Sequence, residues 1–168
     1  MPTIQDAARE FLAQKRIAVA GVSRKGDAAA NAIYRKLRAA GHEVFAVNPN
    51  ADSVEGDTCF RSLSAIPGAV DAVVIATPRA AAEGLVRQCA ANGVRRVWMH
   101  SSFGHGSVDE GAVRLAQELG LAVIPGSCPM MYCEPVDGFH RCLRWVLRVS
   151  GRQPAPLEQA GKGEPDGQ

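Results

Sequence analysis

The run Ala72-Val73-Val74-Ile75-Ala76 has no polar side chain on either of its alternating faces. A strand of this kind has to be covered on both sides, as strands of parallel sheets are. The chain supplies the covers in alternation. Extended runs fall at 16–20, 42–47, 72–76, 96–99 and 122–124, with helical periodicity at 31–40, 79–91 and 108–119 between them. A further helix is expected over 3–13, with Thr3 as its cap. Five such alternations predict an α/β fold: a doubly wound, Rossmann-like parallel sheet of five strands in the order 3-2-1-4-5, with helices on both faces. In that architecture ligands bind at the carboxyl ends of the strands. The piece around Gly56-Asp57 reads as a turn in a short extended excursion, and 62–66 as a helical turn closed by Pro67-Gly68.

A final amphipathic helix over 138–149 is expected to bury Phe139, Cys142, Leu143 and Val146 and to carry Arg141, Arg144 and Arg148 on another face. Residues 1–150 thus form one domain. Residues 151–168 hold glycine, proline, glutamine and charges with little that is apolar, and are expected to be disordered.

The 168 residues carry 19 basic and 17 acidic side chains, a net charge of +2 that is too balanced for long nucleic-acid partners. No run approaches the roughly 20 apolar residues of a membrane span, and the start is not that of a signal peptide. Five cysteines without paired spacing fit a reducing cytoplasm.

The site reading rests on the strand ends. Ile17-Ala18-Val19-Ala20 runs into Gly21-Val22-Ser23, a small-residue turn followed by a helix. Amides entering a helix N-terminus suit a phosphate or diphosphate, although a glycine turn after a strand also occurs with no ligand. Gly21-x-Ser23-x-x-Gly26 lacks the middle glycine of the dinucleotide fingerprint. A carboxylate at Gly21→Asp would occupy the diphosphate position. After 42–47 comes Asn48-Pro49-Asn50, where an NAD site wants an acid for the ribose hydroxyls. Asn48 either contacts a nucleotide neutrally or begins a turn with Pro49. Thr77-Pro78 either faces the ligand or caps the next helix. His100, His105, Cys128, Cys133 and His140 show no metal-ligand spacing. Cys128 is either a reactive thiol or a covered small residue. No Ser-His-Asp spacing or carboxylate pair advertises a reaction, so no catalytic residue is assigned.

Ile17 to Ser23, Gly41-His42-Glu43-Val44-Phe45-Ala46-Val47-Asn48-Pro49, Val54-Glu55-Gly56 and Val70 to Pro78 together resemble the small bacterial CoA-binding proteins with a Rossmann-like domain. The likeness covers roughly 10 to 135. The same fold is similar to the nucleotide-binding domain of the succinyl-CoA synthetase alpha subunit. The resemblance implies a non-catalytic domain that binds coenzyme A or acyl-CoA. It implies the diphosphate over Gly21, Val22 and Ser23, the adenosine end near Asn48 and Pro49, and Thr77 and Pro78 along the border. Arg24 and Lys25 beside the turn are candidate phosphate partners. His100 stands where the family usually has glutamine, and the segment from Cys128 to Pro135 with the last helix goes beyond the compact family pattern. The partner expectations are a homodimer or an accessory-subunit role beside an acyl-CoA enzyme. The competing reading is an NAD(P)-binding oxidoreductase or redox sensor on the same fold, NADP being favoured by the nearby Arg and Lys.

Overall fold

The computed structural model describes residues 2–101 and 106–159. Helix α1 spans Ile4–Leu12 and opens with a capping box: Thr3 Oγ1 accepts the Asp6 amide, and the Asp6 carboxylate accepts the Thr3 amide. Strand β1, Arg16–Ala20, follows, then α2, Ala29–Ala39, and β2, Glu43–Val47. A hairpin of β3, Ser53–Val54, and β4, Asp57–Phe60, leads to a 3-10 turn at Leu63–Ala65 and to β5, Ala72–Ile75. The second half comprises α3, Ala82–Ala91, β6, Arg96–Met99, α4, Glu110–Glu118, β7, Ala122–Pro125, and α5, Gly138–Val149.

The sheet is parallel except for one antiparallel pair, and Rossmann-like, but it has seven strands rather than five. Their order is β3-β4-β2-β1-β5-β6-β7, so the expected order 3-2-1-4-5 is also corrected: Ala72–Ile75 lies beside β1, on the side away from β2. The reason is β4. It pairs parallel with β2 through Ala46↔Cys59 and Val47↔Phe60, and so takes the third place itself. Glu55 and Gly56, at φ 52° and 81°, make the two-residue turn that the right-handed strand twist favours. The chain then crosses back to the middle of the sheet and winds outward the other way. The reversal at β1 opens a crevice at the carboxyl ends of β2, β1 and β5.

Alternation along the strands divides the core. Ile17, Val19, Val74, Trp98 and Ile124 pack with α1, α2 and Leu143 of α5 on one face. Ala18, Ala20, Val73, Ile75, Val97 and Met99 pack with α3 and α4 on the other. Both faces are covered, as the apolar run of β5 requires. Phe11 and Trp98 meet edge to face at 5.3 Å between ring centroids.

Helix α5 faces the core differently from the amphipathic expectation. Of the four residues expected to be buried only Leu143 is; Cys142 is exposed, and Phe139 and Val146 remain 64% and 43% exposed. The helix is rolled by its anchors: Arg141 donates to the Val136 carbonyl and Arg144 to the Met131 carbonyl, which turns Leu143 and Leu147 inward. The segment after α5 is not free of the sheet either. Leu157 exchanges two backbone hydrogen bonds of 2.8 Å with Val123 on the outer edge of β7. Residues 160–168 of the expected disordered tail lie outside the described residues.

Candidate functional site

The crevice holds a cavity of about 410 Å³, whose wall includes Gly21, Asn48, Pro49, Thr77 and Pro78 together with Arg61. Five of the nine expected site residues therefore meet around one space. Val22, Ser23, Arg24 and Lys25 do not line it; Val22 is wholly buried, and Arg24 and Lys25 project from the exposed loop.

Gly21 is required by the backbone. It sits at φ 104°, its amide donates to the Val47 carbonyl at 3.1 Å, and a Cβ there would come within 2.3 Å of the Ala76 carbonyl oxygen. A Gly21→Asp variant would push the ends of β1 and β5 apart before its charge met any ligand, so it tests the fold rather than a phosphate site.

The loop beyond Gly21 is braced from within. The Ser23 amide, expected to face a phosphate, donates instead to Asn31 Oδ1 at 2.8 Å. Asn31 Nδ2 donates to the Ser23 carbonyl at 2.8 Å and to Glu55 Oε1 at 2.6 Å. The Ser23 hydroxyl accepts the Lys25 amide, and Arg35 pairs with Glu55 at 2.7 Å. Asn31 is fully buried among Ala30, Ile33, Tyr34 and Leu37. Its only sequence signal is a polar residue on the apolar side of α2. The tip of the β3–β4 hairpin thus locks the turn after β1.

Asn48 does the same from the other side. Its Nδ2 donates to the Val22 carbonyl at 2.9 Å and its Oδ1 accepts the Asn50 amide at 2.8 Å, an Asx turn. Pro49 supplies apolar wall. The Thr77 hydroxyl bonds to the Pro78 carbonyl and makes no helix cap; the Thr77 carbonyl accepts the Ser107 hydroxyl at 2.6 Å. Arg61, which sequence reading missed, directly follows β4, one strand beyond Asn48. Its exposed guanidinium is 2.9 Å from Asp52.

Burial makes four of the five thiols poor nucleophiles. It pushes Cys128 up to about 11 and Cys89 up to about 12, and raises Cys59 and Cys133 as well. Cys128 is therefore a covered thiol. Burial also holds the His100 imidazole below its ordinary value, with the neighbouring Ser127 backbone acting weakly the other way. His105 lies outside the described residues. Among the described residues no group of three or more His, Cys, Asp or Glu side chains could hold a metal ion, and no helix is long and apolar enough to cross a membrane.

Residues 15–134 match the model of a family described as CoA binding domain. The uncharacterized protein YneT of Bacillus subtilis is 29% identical over 114 residues, 68% of this chain and 82% of that protein. The alpha subunit of acetate–CoA ligase (ADP-forming) II from Pyrococcus furiosus is 26% identical over 125 residues, 70% of this chain but only 27% of the subunit. Among solved structures, a hypothetical protein from Pyrococcus horikoshii superposes with a TM-score of 0.73 at 27% identity, over 80% of this chain and 92% of that one.

Proposed function

Because the chain belongs to the CoA binding domain family, we propose that it binds coenzyme A, free or acylated, in the cavity between β2, β1 and β5, and that it catalyses no reaction there. The observation that carries this reading is the cavity itself. It lies at the reversal of strand order, where open α/β sheets take nucleotides, and its 410 Å³ falls in the roughly 300–1,000 Å³ range of ligand sites. The residues present fit the group. No carboxylate closes the end of β2, and the exposed cations Arg61, Arg24 and Lys25 stand at the cavity wall and on the loop beside it. The adenosine end would lie against Pro49 and Asn48, with Thr77 and Pro78 along the border. Asn31 and Glu55 would hold the loop through which the diphosphate passes.

The covered thiols of Cys59, Cys89, Cys128 and Cys133 support a binding role over thiol chemistry. The accessory-subunit reading draws its support from the relative named as a ligase subunit; a homodimer is the other assembly we propose to test.

Calorimetric titration with CoA, dephospho-CoA, NADP and NAD tests the proposal. CoA is expected to bind, and to bind more tightly than dephospho-CoA because the cations lose a phosphate partner. Preference for NADP over CoA, or no binding of CoA, would overturn it. Light scattering in the same buffer reports the assembly.

A further inference from the structure

Resting on the coenzyme A reading, we infer that the ligand is an acyl thioester whose acyl group lies in a second cavity, at the carboxyl ends of β6 and β7. This cavity has a volume of about 330 Å³ and is walled chiefly by Val108, Pro125, Met131, Leu143, Leu147 and Pro154. Such a lining welcomes hydrocarbon and offers little to a bare thiol. Leu143 and Leu147 come from α5 and Pro154 from the segment after it, all beyond the residues that the family model matches. The chain beyond the matched residues thus roofs the cavity, with Leu143, Leu147 and Pro154 beside Arg152 on its underside.

The two cavities share one edge of the sheet. The first lies at the ends of β2, β1 and β5, the second at the ends of β6 and β7. From β1 to β7 there are three strand spacings, roughly 14 Å at about 4.8 Å each. The backbone of the pantetheine arm is as long as about four extended residues, roughly 14 Å. An arm leaving a diphosphate at the turn after β1 and crossing the ends of β5 and β6 delivers its sulfur to the mouth of the second cavity.

Two orphaned atoms point the same way. Among the described residues, His100 Nδ1 and Gln153 Nε2 are buried side-chain polar atoms without a hydrogen-bond partner. His100 directly follows β6, on the path of the arm, and precedes Ser101 of the cavity wall; Gln153 stands between Arg152 and Pro154, both in that wall. Folded proteins seldom leave such atoms unsatisfied. A chain of two amides ending in a thioester carbonyl carries the donors and the acceptor that they lack.

The test is titration of the full chain with CoA and with its acetyl, butanoyl and hexanoyl thioesters. Affinity is expected to rise with acyl length, by up to roughly fourfold for each methylene that becomes buried. Leu147→Trp and, independently, Val108→Phe are expected to fill the cavity and abolish that rise while leaving affinity for CoA within twofold. Both positions are half-buried, and thermal melts of the two variants identify either one that fails to fold. Equal affinity for CoA and hexanoyl-CoA in the unaltered chain would overturn the acyl site and leave the CoA reading standing. Failure of CoA and every thioester to bind would overturn both.

Discussion

At Gly21 the fold leaves room for a hydrogen atom and nothing larger. The ends of β1 and β5 approach so closely that a methyl group has no room: it would stand 2.3 Å from the Ala76 oxygen, on a backbone already at φ 104°. Gly21→Ala is expected to cost about 3 kcal/mol, from strain and displacement together, read as a lowered urea midpoint. A loss below about 0.5 kcal/mol would show that the strand ends move apart freely. His100 makes a second prediction at this scale. Burial lowers its folded pKa, so the unfolded chain, with an ordinary value of 6.5, takes up a proton first as pH falls. The contribution of the neutral imidazole is complete above pH 6.5 and is progressively lost below it. Urea midpoints at pH 7.5 and 5.5 are therefore expected to differ more in the parent than in His100→Gln, and equal differences would remove His100 as the cause.

Individual elements contribute by holding one another. The turn after β1 owes its shape to α2, through Asn31, and to the β3–β4 hairpin, through Glu55. Asn31→Ala leaves the Ser23 amide without a partner and takes one of two donors from the Ser23 carbonyl and from Glu55 Oε1, at a cost of about 1–3 kcal/mol. Hydrogen exchange at residues 23–26 should accelerate at least tenfold while amides of β1 and β5 stay protected; uniform acceleration would mean that the whole domain had loosened instead. This brace also marks how far sequence reaches. Strands β1, β5, β6 and β7 are legible because they are apolar on both faces, and the position of the cavity follows from their alternation. Strand β4 is legible only in part: of Asp57-Thr58-Cys59-Phe60 only Cys59 is buried, so the piece reads as a short extended excursion and not as a member of the parallel sheet, and the strand order goes wrong with it. The bonds from Asn31 span 8 and 24 residues, and no local pattern announces them. Leu143, Phe139 and Val146 are equally apolar to a periodicity argument. Only the anchoring of Arg141 and Arg144 to loop carbonyls decides which of them turns inward.

At the scale of the whole molecule, the chain that follows the family match has two tasks. The family match ends at 134, and the chain beyond that residue both roofs the second cavity and covers the outer strand of the sheet. Those two tasks can be separated. Removing residues 152–168 takes Arg152 and Pro154 from the wall of the second cavity and Leu157 from β7, but leaves α5 and the first cavity in place. The edge of β7 then presents unpaired amides and carbonyls, a template for pairing with other chains. The shortened chain is expected to melt several degrees lower and to self-associate with rising concentration, as light scattering would report. In the same preparation, CoA should bind as before, because no residue beyond 88 lines its cavity. Preference for longer acyl thioesters should fall away with the missing wall. An unchanged acyl preference would move the acyl group elsewhere, while loss of CoA binding would mean that the far edge of the sheet supports the nucleotide site through the strands between them.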